Sequence, residues 1–277
     1  MSVNQIFADQ SIYLNDLPTK DSQLDHLPQR VKTFVNKYRS TIPVQVDTSF
    51  NPDLSKIKSI KELRKAVDNL DVLPARNDMD RAFKRIAMHI LNQITYAPHL
   101  LSDAKVANYS EQSTLVKFWC PILESFFSYD SRYELQWGDT ESPTCQRQDL
   151  ALKLDLRVVA AFEGFTMDAI TGEAAKQAAI TSKKLLNDKL KSSLATKAHL
   201  NLFVRSLKHL PDMHIGQVTI PIVQIMGLDF HLYGMKIVDK GLYIMDEYYK
   251  VTYPRSILEL KKNGLTNIFT MLNIVIL

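Results

Sequence analysis

The charged residues of this chain are unevenly placed, and the unevenness points to two kinds of chemistry. From Lys176 to Lys208 the basic residues are Lys176, Lys183, Lys184, Lys189, Lys191, Lys197, Arg205 and Lys208, opposed by Asp188 alone. That gives a local charge of +7, whereas the whole chain carries +4. On an ideal helix Lys176, Lys183, Lys184 and Lys191 fall within an arc of about 100°. One basic face of that kind attracts phosphate, and nucleic acid is the partner it implies; a solvated helix surface is the competing reading. Ahead of this run stand two carboxylates in strand-like settings. Asp155 lies in Leu152-Lys153-Leu154-Asp155-Leu156-Arg157, and Glu173 in Ile170-Thr171-Gly172-Glu173-Ala174-Ala175-Lys176. Read conservatively, Asp155 and Arg157 form an ordinary surface pair, and Glu173 opens the next helix at its positive end.

Other chemistries are excluded by what is scarce. Glycine occurs eight times and never before Gly138, so no cluster exists for a phosphate loop, a dinucleotide fingerprint or a Gly-x-Ser-x-Gly elbow. Cys120 and Cys145 make no disulfide framework. His209 and His214, the closest histidines, have no cysteine or carboxylate at zinc spacing. Met1 to Gln10 shows no secretory pattern. The longest apolar run, Ile268 to Leu277, is interrupted by Thr270 and Asn273 and is too short to cross a bilayer. The expectation is an intracellular protein, cytoplasmic or nuclear, with no membrane contact and a buried terminal helix.

The elements that must position these residues read as α+β. Helices are expected over about Asp25–Arg39, Ile57–Leu70 and Asn77–Ile94, forming a helical extension over 1–105 that offers packing or a protein-partner surface. In the body, 106–277, a helix starts at Ser110, and Pro121 kinks or divides it. A strand over Tyr133–Trp137 closes at Gly138-Asp139. Leu150–Phe162 alternates with Leu150, Leu152, Leu154, Leu156 and Val158 on one face. A turn at Glu163-Gly164 returns the chain as a strand over Thr166–Ala175. A long helix over about 177–207 follows, with Leu186, Leu190 and Leu194 as its buried stripe. Strands over Ile215–Met226, Phe230–Val238 and Leu242–Tyr248 and a helix after Pro254 complete the body. Trp119, Phe118 and Phe126 read as core. Paired strands with one main crossover helix indicate an α+β sheet, not a doubly wound one.

Helix, three strands, long helix and strand is the core order of the PD-(D/E)XK nuclease superfamily, which the segment 108–248 resembles. It is also similar to a set of fungal proteins that share this run of motifs. The resemblance implies that Asp155 and Glu173 are metal ligands and that Glu111, on the first helix, is an outer helper. Two carboxylates ~4 Å apart repel by roughly 4 kcal/mol at an effective dielectric of 20. A divalent cation removes that cost, polarises a phosphodiester and acidifies a bound water, and hard oxygen ligands favour Mg2+ or Mn2+. The family lysine, two residues after the second acid, is Ala175 here. Lys176 is one residue late and on a regular strand points to the other face. A bulge or helix start would swing it back, and Lys153 is a second substitute. Losing one such charge-stabilising group typically costs about 10²–10³ in rate. The implied function is a metal-dependent nucleic-acid phosphodiesterase. A catalytically inactive nucleic-acid-binding domain, with Lys183, Lys184 and Lys191 on phosphate, and a protein-interaction or structural module remain as alternatives.

Overall fold

A computed structural model describes residues 12–15, 52–162, 164–177, 181–207 and 215–275; the helix expected over Asp25–Arg39, Lys208 and the His209/His214 pair lie outside them. The centre is a seven-stranded mixed sheet: β1 (Ile12–Asn15), β2 (Tyr133–Glu141), β3 (Lys153–Phe162), β4 (Phe165–Ala175), β5 (Thr219–Met226), β6 (Asp229–Asp239) and β7 (Leu242–Thr252). Their order in space is β1-β7-β6-β5-β4-β3-β2. The β4–β5 and β1–β7 pairs are parallel and the other four are antiparallel. Parallel pairing of β4 with β5 needs a long crossover, and the helix Ser182–Ser206 supplies it, capped at Thr181, whose side chain accepts from the Lys184 amide.

This crossover helix covers one face of the sheet. The other face carries the helices Ile60–Val72, Asp78–Tyr96, Cys120–Phe127 and Gly264–Val275, whose apolar stripes meet Leu156, Val158, Ile170, Ala174, Val223 and Phe230 in one cluster. Residue 105 therefore separates no second core: Leu63, Val67, Phe83, Ile86 and Ile90 are buried together with Phe269 and Leu272. Phe118, Trp119 and Phe126 lie in the same core, and the run Ile268–Val275 is a buried helix. Among the described residues no helix is long and apolar enough to cross a membrane.

The helix that starts at Ser110 is divided as its proline demands. Ser110 caps Glu111–Thr114, a π-helical turn occupies Leu115–Trp119, and α-helix resumes at Cys120–Phe127. Pro121 has no amide hydrogen for the Lys117 carbonyl one turn back. Gln93 Nε2 donates to that carbonyl at 2.6 Å and His89 Nε2 approaches it at 3.1 Å. Gln93 Oε1 in turn accepts from the Tyr253 hydroxyl at 3.1 Å. Trp119 Nε1 donates to the Gly227 carbonyl at the β5–β6 turn. The π-helical turn that follows Glu111–Thr114 is thus held on one side by the helix Asp78–Tyr96 and on the other by the β5–β6 turn.

The end of β2 differs from the sequence expectation. β2 does not end at Gly138-Asp139. Gly138 adopts φ +88°, the pairing with β3 shifts between Trp137 and Thr140, and the strand continues to Glu141. A bulge uses the same backbone freedom as a turn. β3 and β4 are antiparallel neighbours as expected.

Candidate functional site

Thr171 and Glu173 face the crossover helix, because Thr171 Oγ1 meets Thr196 Oγ1 at 2.7 Å and the Lys191 ammonium donates to Glu173 Oε2 at 2.5 Å. Glu173 is 2% exposed. Its other oxygen, Oε1, is buried with no hydrogen-bond partner. Asp155, on the neighbouring strand, accepts from the Ala174 amide at 2.8 Å, so its carboxylate is held beside the Glu173 backbone. Asp155 also lines an open cleft of about 410 Å³, with Glu111 from the first helix and an apolar shoulder of Leu115, Val116 and Trp137.

These groups act on one another electrostatically. Burial pushes the Glu173 carboxyl up to about 9 and repulsion from Asp155 adds to this, against the pull of Lys191. A contact that short to an ammonium ordinarily keeps a carboxylate ionised; here burial outweighs it, and the direction is upward. Burial also raises the Glu111 carboxyl, followed by the charge of Asp155. Lys184 feels burial pulling it down, yet its bond to Asp188, at 3.0 Å, and the charges of Glu111 and Asp155 raise it overall. The result is one partly desolvated cluster holding Glu111, Asp155, Glu173, Asp188, Lys184 and Lys191.

Of the residues singled out from sequence, Asp155 stands near both Glu173 and Glu111 and acts on each. The expected substitutes for the motif lysine do not join them: Lys153 and Lys176 are exposed, and Lys176 lies past the end of β4. The lysine at Glu173 is Lys191, which arrives from the crossover helix. This also changes the reading of the basic face. Lys191 and Lys184 turn toward carboxylates, Lys189 and Lys197 sit over the rings of Tyr233 and Tyr243, and Lys183 is exposed. The expected leucine stripe holds in part: Leu194 is buried and Leu190 packs on the core, but Leu186 is 46% exposed, and Ser192, Ser193, Thr196 and His199 are buried beside them.

A second polar system lies farther along the same helix, and no sequence pattern indicated it. Arg157 is buried, not a solvated partner of Asp155. Its Nε donates to Asp168 Oδ1 at 2.6 Å, and its Nη1 reaches Gln136 Oε1 and the Glu141 carbonyl. Ser142 Oγ donates to Asp168 Oδ2 at 2.6 Å and stands 2.7 Å from His199 Nε2. The residue types suggest a nucleophile relay, but the arrangement does not make one. Serine and aspartate meet the same ring nitrogen, Nδ1 is buried without a partner, and His199 and Ser142 are inaccessible. Burial drives the His199 imidazolium down to about 4 and the Cys145 thiol up to about 11. This network fastens β3, β4 and the Pro143–Gln146 helix to the crossover helix.

Among the described residues no three histidine, cysteine or carboxylate side chains converge as a ready metal cage. No family model, curated protein or solved structure matches the chain.

Proposed function

We propose that this protein is a divalent-metal-dependent nucleic-acid phosphodiesterase of PD-(D/E)XK type whose catalytic lysine, Lys191, comes from the crossover helix. The observation that carries the reading is the buried Glu173, bonded through one oxygen to Lys191 and left unsatisfied at the other, beside Asp155. The order of a first helix, β2, β3, β4, crossover helix and parallel β5 supports it.

The residues fit a hard cation. A buried carboxylate oxygen with no donor, on a group that burial and a like charge keep protonated, is what a cation relieves. Mg2+ and Mn2+ take few carboxylates and keep several waters, so a set of Asp155 and Glu173 with Glu111 outside it suffices without a closed cage. When bound, such an ion polarises the phosphodiester and acidifies a water. The chain's own contributions are positional. The Ala174 amide fixes Asp155, and Lys191 stabilises the charge that grows on phosphate. Leu115, Val116 and Trp137 give the substrate an apolar wall beside the carboxylates. A binding-only role would use the same helix as a phosphate track, but Lys184 and Lys191 are engaged inward, which favours chemistry at the cluster.

The test incubates the protein with labelled DNA and RNA in Mg2+, Mn2+ or chelator. Cleavage should require metal, vanish in Asp155→Ala and Glu173→Ala, and slow about 10²–10³-fold in Lys191→Met. Cleavage that persists in both alanine variants, or none with either metal, refutes the proposal.

A further inference from the structure

Beside Glu173 lies a group of polar atoms that the fold leaves without partners. Gln224 on β5 is the register partner of Glu173 on β4, so their backbones are about 4.8 Å apart and their side chains share a face. Gln224 is 0% exposed, and neither its Oε1 nor its Nε2 has a hydrogen-bond partner. Ser192 is also 0% exposed, with its Oγ unpartnered. Its position follows from the Thr171–Thr196 contact. The crossover helix runs antiparallel to β4. One turn back from Thr196 advances ~6 Å along the helix, and two residues on from Thr171 advance ~6.6 Å along the strand. Ser192 therefore comes over Glu173. Glu173 Oε1, both ends of the Gln224 amide and Ser192 Oγ are thus placed on the facing sides of β4, β5 and the crossover helix, each without a hydrogen-bond partner.

Buried polar atoms are almost always satisfied, and an amide orphaned at both ends is the rarest kind of exception. An Oε1 acceptor and an Nε2 donor beside a carboxylate match a water that gives one hydrogen and accepts another. We infer that Gln224 and Ser192 form the outer ligand shell of the site, holding the water shell of a divalent cation bound by Glu173 and Asp155. The inference rests on the metal-dependent reading above. It adds that Gln224 and Ser192 are positioning residues for the ion, not core filler.

The test measures Mn2+ binding calorimetrically and the melting temperature of the metal-free protein, for wild type, Gln224→Met and Ser192→Ala. Loss of an outer-shell partner should weaken Mn2+ binding about 10–100-fold. The metal-free melting temperature should stay level or rise in Gln224→Met, because two unsatisfied buried groups are replaced by an apolar chain of similar size. Wild-type Mn2+ affinity retained in Gln224→Met overturns the inference while leaving the metal reading intact. A clear fall in the metal-free melting temperature overturns it as well, since it marks Gln224 as a structural residue satisfied by ordinary buried water. If the wild type itself takes up no Mn2+, the functional reading fails and the inference falls with it.

Discussion

A Glu173 carboxyl raised to about 9 holds its proton at neutral pH, and any cation that takes its place must displace that proton. The consequence is quantitative. At pH 7 the group is about 99% neutral, so apparent Mn2+ affinity lies about a hundredfold below its high-pH limit, or about 2.7 kcal/mol. The affinity should climb about tenfold per pH unit from 6.5 to 8.5, with about one proton released per ion. Calorimetric titrations at pH 6.5, 7.5 and 8.5, each in two buffers of different ionisation enthalpy, measure both quantities. Glu173→Gln should lose most of the affinity and all of the pH slope. Asp155→Asn removes the largest charge acting upward on Glu173, so part of the slope should move to lower pH. Affinity that is flat over this range, with a heat independent of buffer, would show that Glu173 carries no proton. Burial and the Asp155 charge would then not govern Glu173.

The second polar system makes its own predictions. Asp168→Asn leaves the Arg157 guanidinium buried without its counter-charge and should cost about 3–5 kcal/mol in urea unfolding, much of it recovered in Arg157→Met/Asp168→Leu. His199 is held neutral in the fold, down to about 4, while the unfolded chain takes the proton near 6.5. Its contribution is therefore complete above pH 6.5, shrinks by up to about 3 kcal/mol as pH falls to 4, and is level below that. Denaturant titrations across this window should show the slope, and His199→Phe should flatten it. Gln93→Leu strips the Lys117 carbonyl of its better donor and should destabilise by about 1–3 kcal/mol, measured the same way; full wild-type stability would mean that His89 or water replaces it.

The strand that carries Asp155 was legible because alternation along Leu150–Phe162 is a local property, and β3 keeps it from Lys153 onward, whereas β4, which carries Glu173, is buried on both faces. Gly138-Asp139 was misleading for the converse reason: a bulge and a turn need the same positive φ, and only the pairing of Thr140 with Leu154 tells them apart. Lys191 was out of reach of any spacing rule on β4, since its contact with Glu173 depends on how a helix lies across the sheet. The leucine spacing on the crossover helix finds only part of its buried side. Leu190 and Leu194 pack inward and Leu186 does not, while the helix also lies over polar strand residues and buries hydroxyls and a histidine. Hydrophobic periodicity finds a face that packs on carbon and is silent about one that packs on Thr171, Asp168 and Glu173.

That sheet-facing stripe changes character along its length, and the change argues for where function lies. At the far end Leu200, Phe203 and Val204 pack on Ile220, Ile222 and Met235. In the middle Thr196 is matched by Thr171 and His199 Nε2 by Ser142 and Asp168, and His199 Nδ1 is the one atom of these contacts left open. Over Glu173 the reciprocity stops, and Ser192 Oγ, Glu173 Oε1 and the Gln224 amide remain unmatched. A sequence selected only for a stable helix–sheet contact would place apolar residues there, because each orphaned buried group costs about 1–3 kcal/mol. Four such atoms opposite one turn of the helix, against a single one at His199 Nδ1, are where a group from outside the chain would satisfy most.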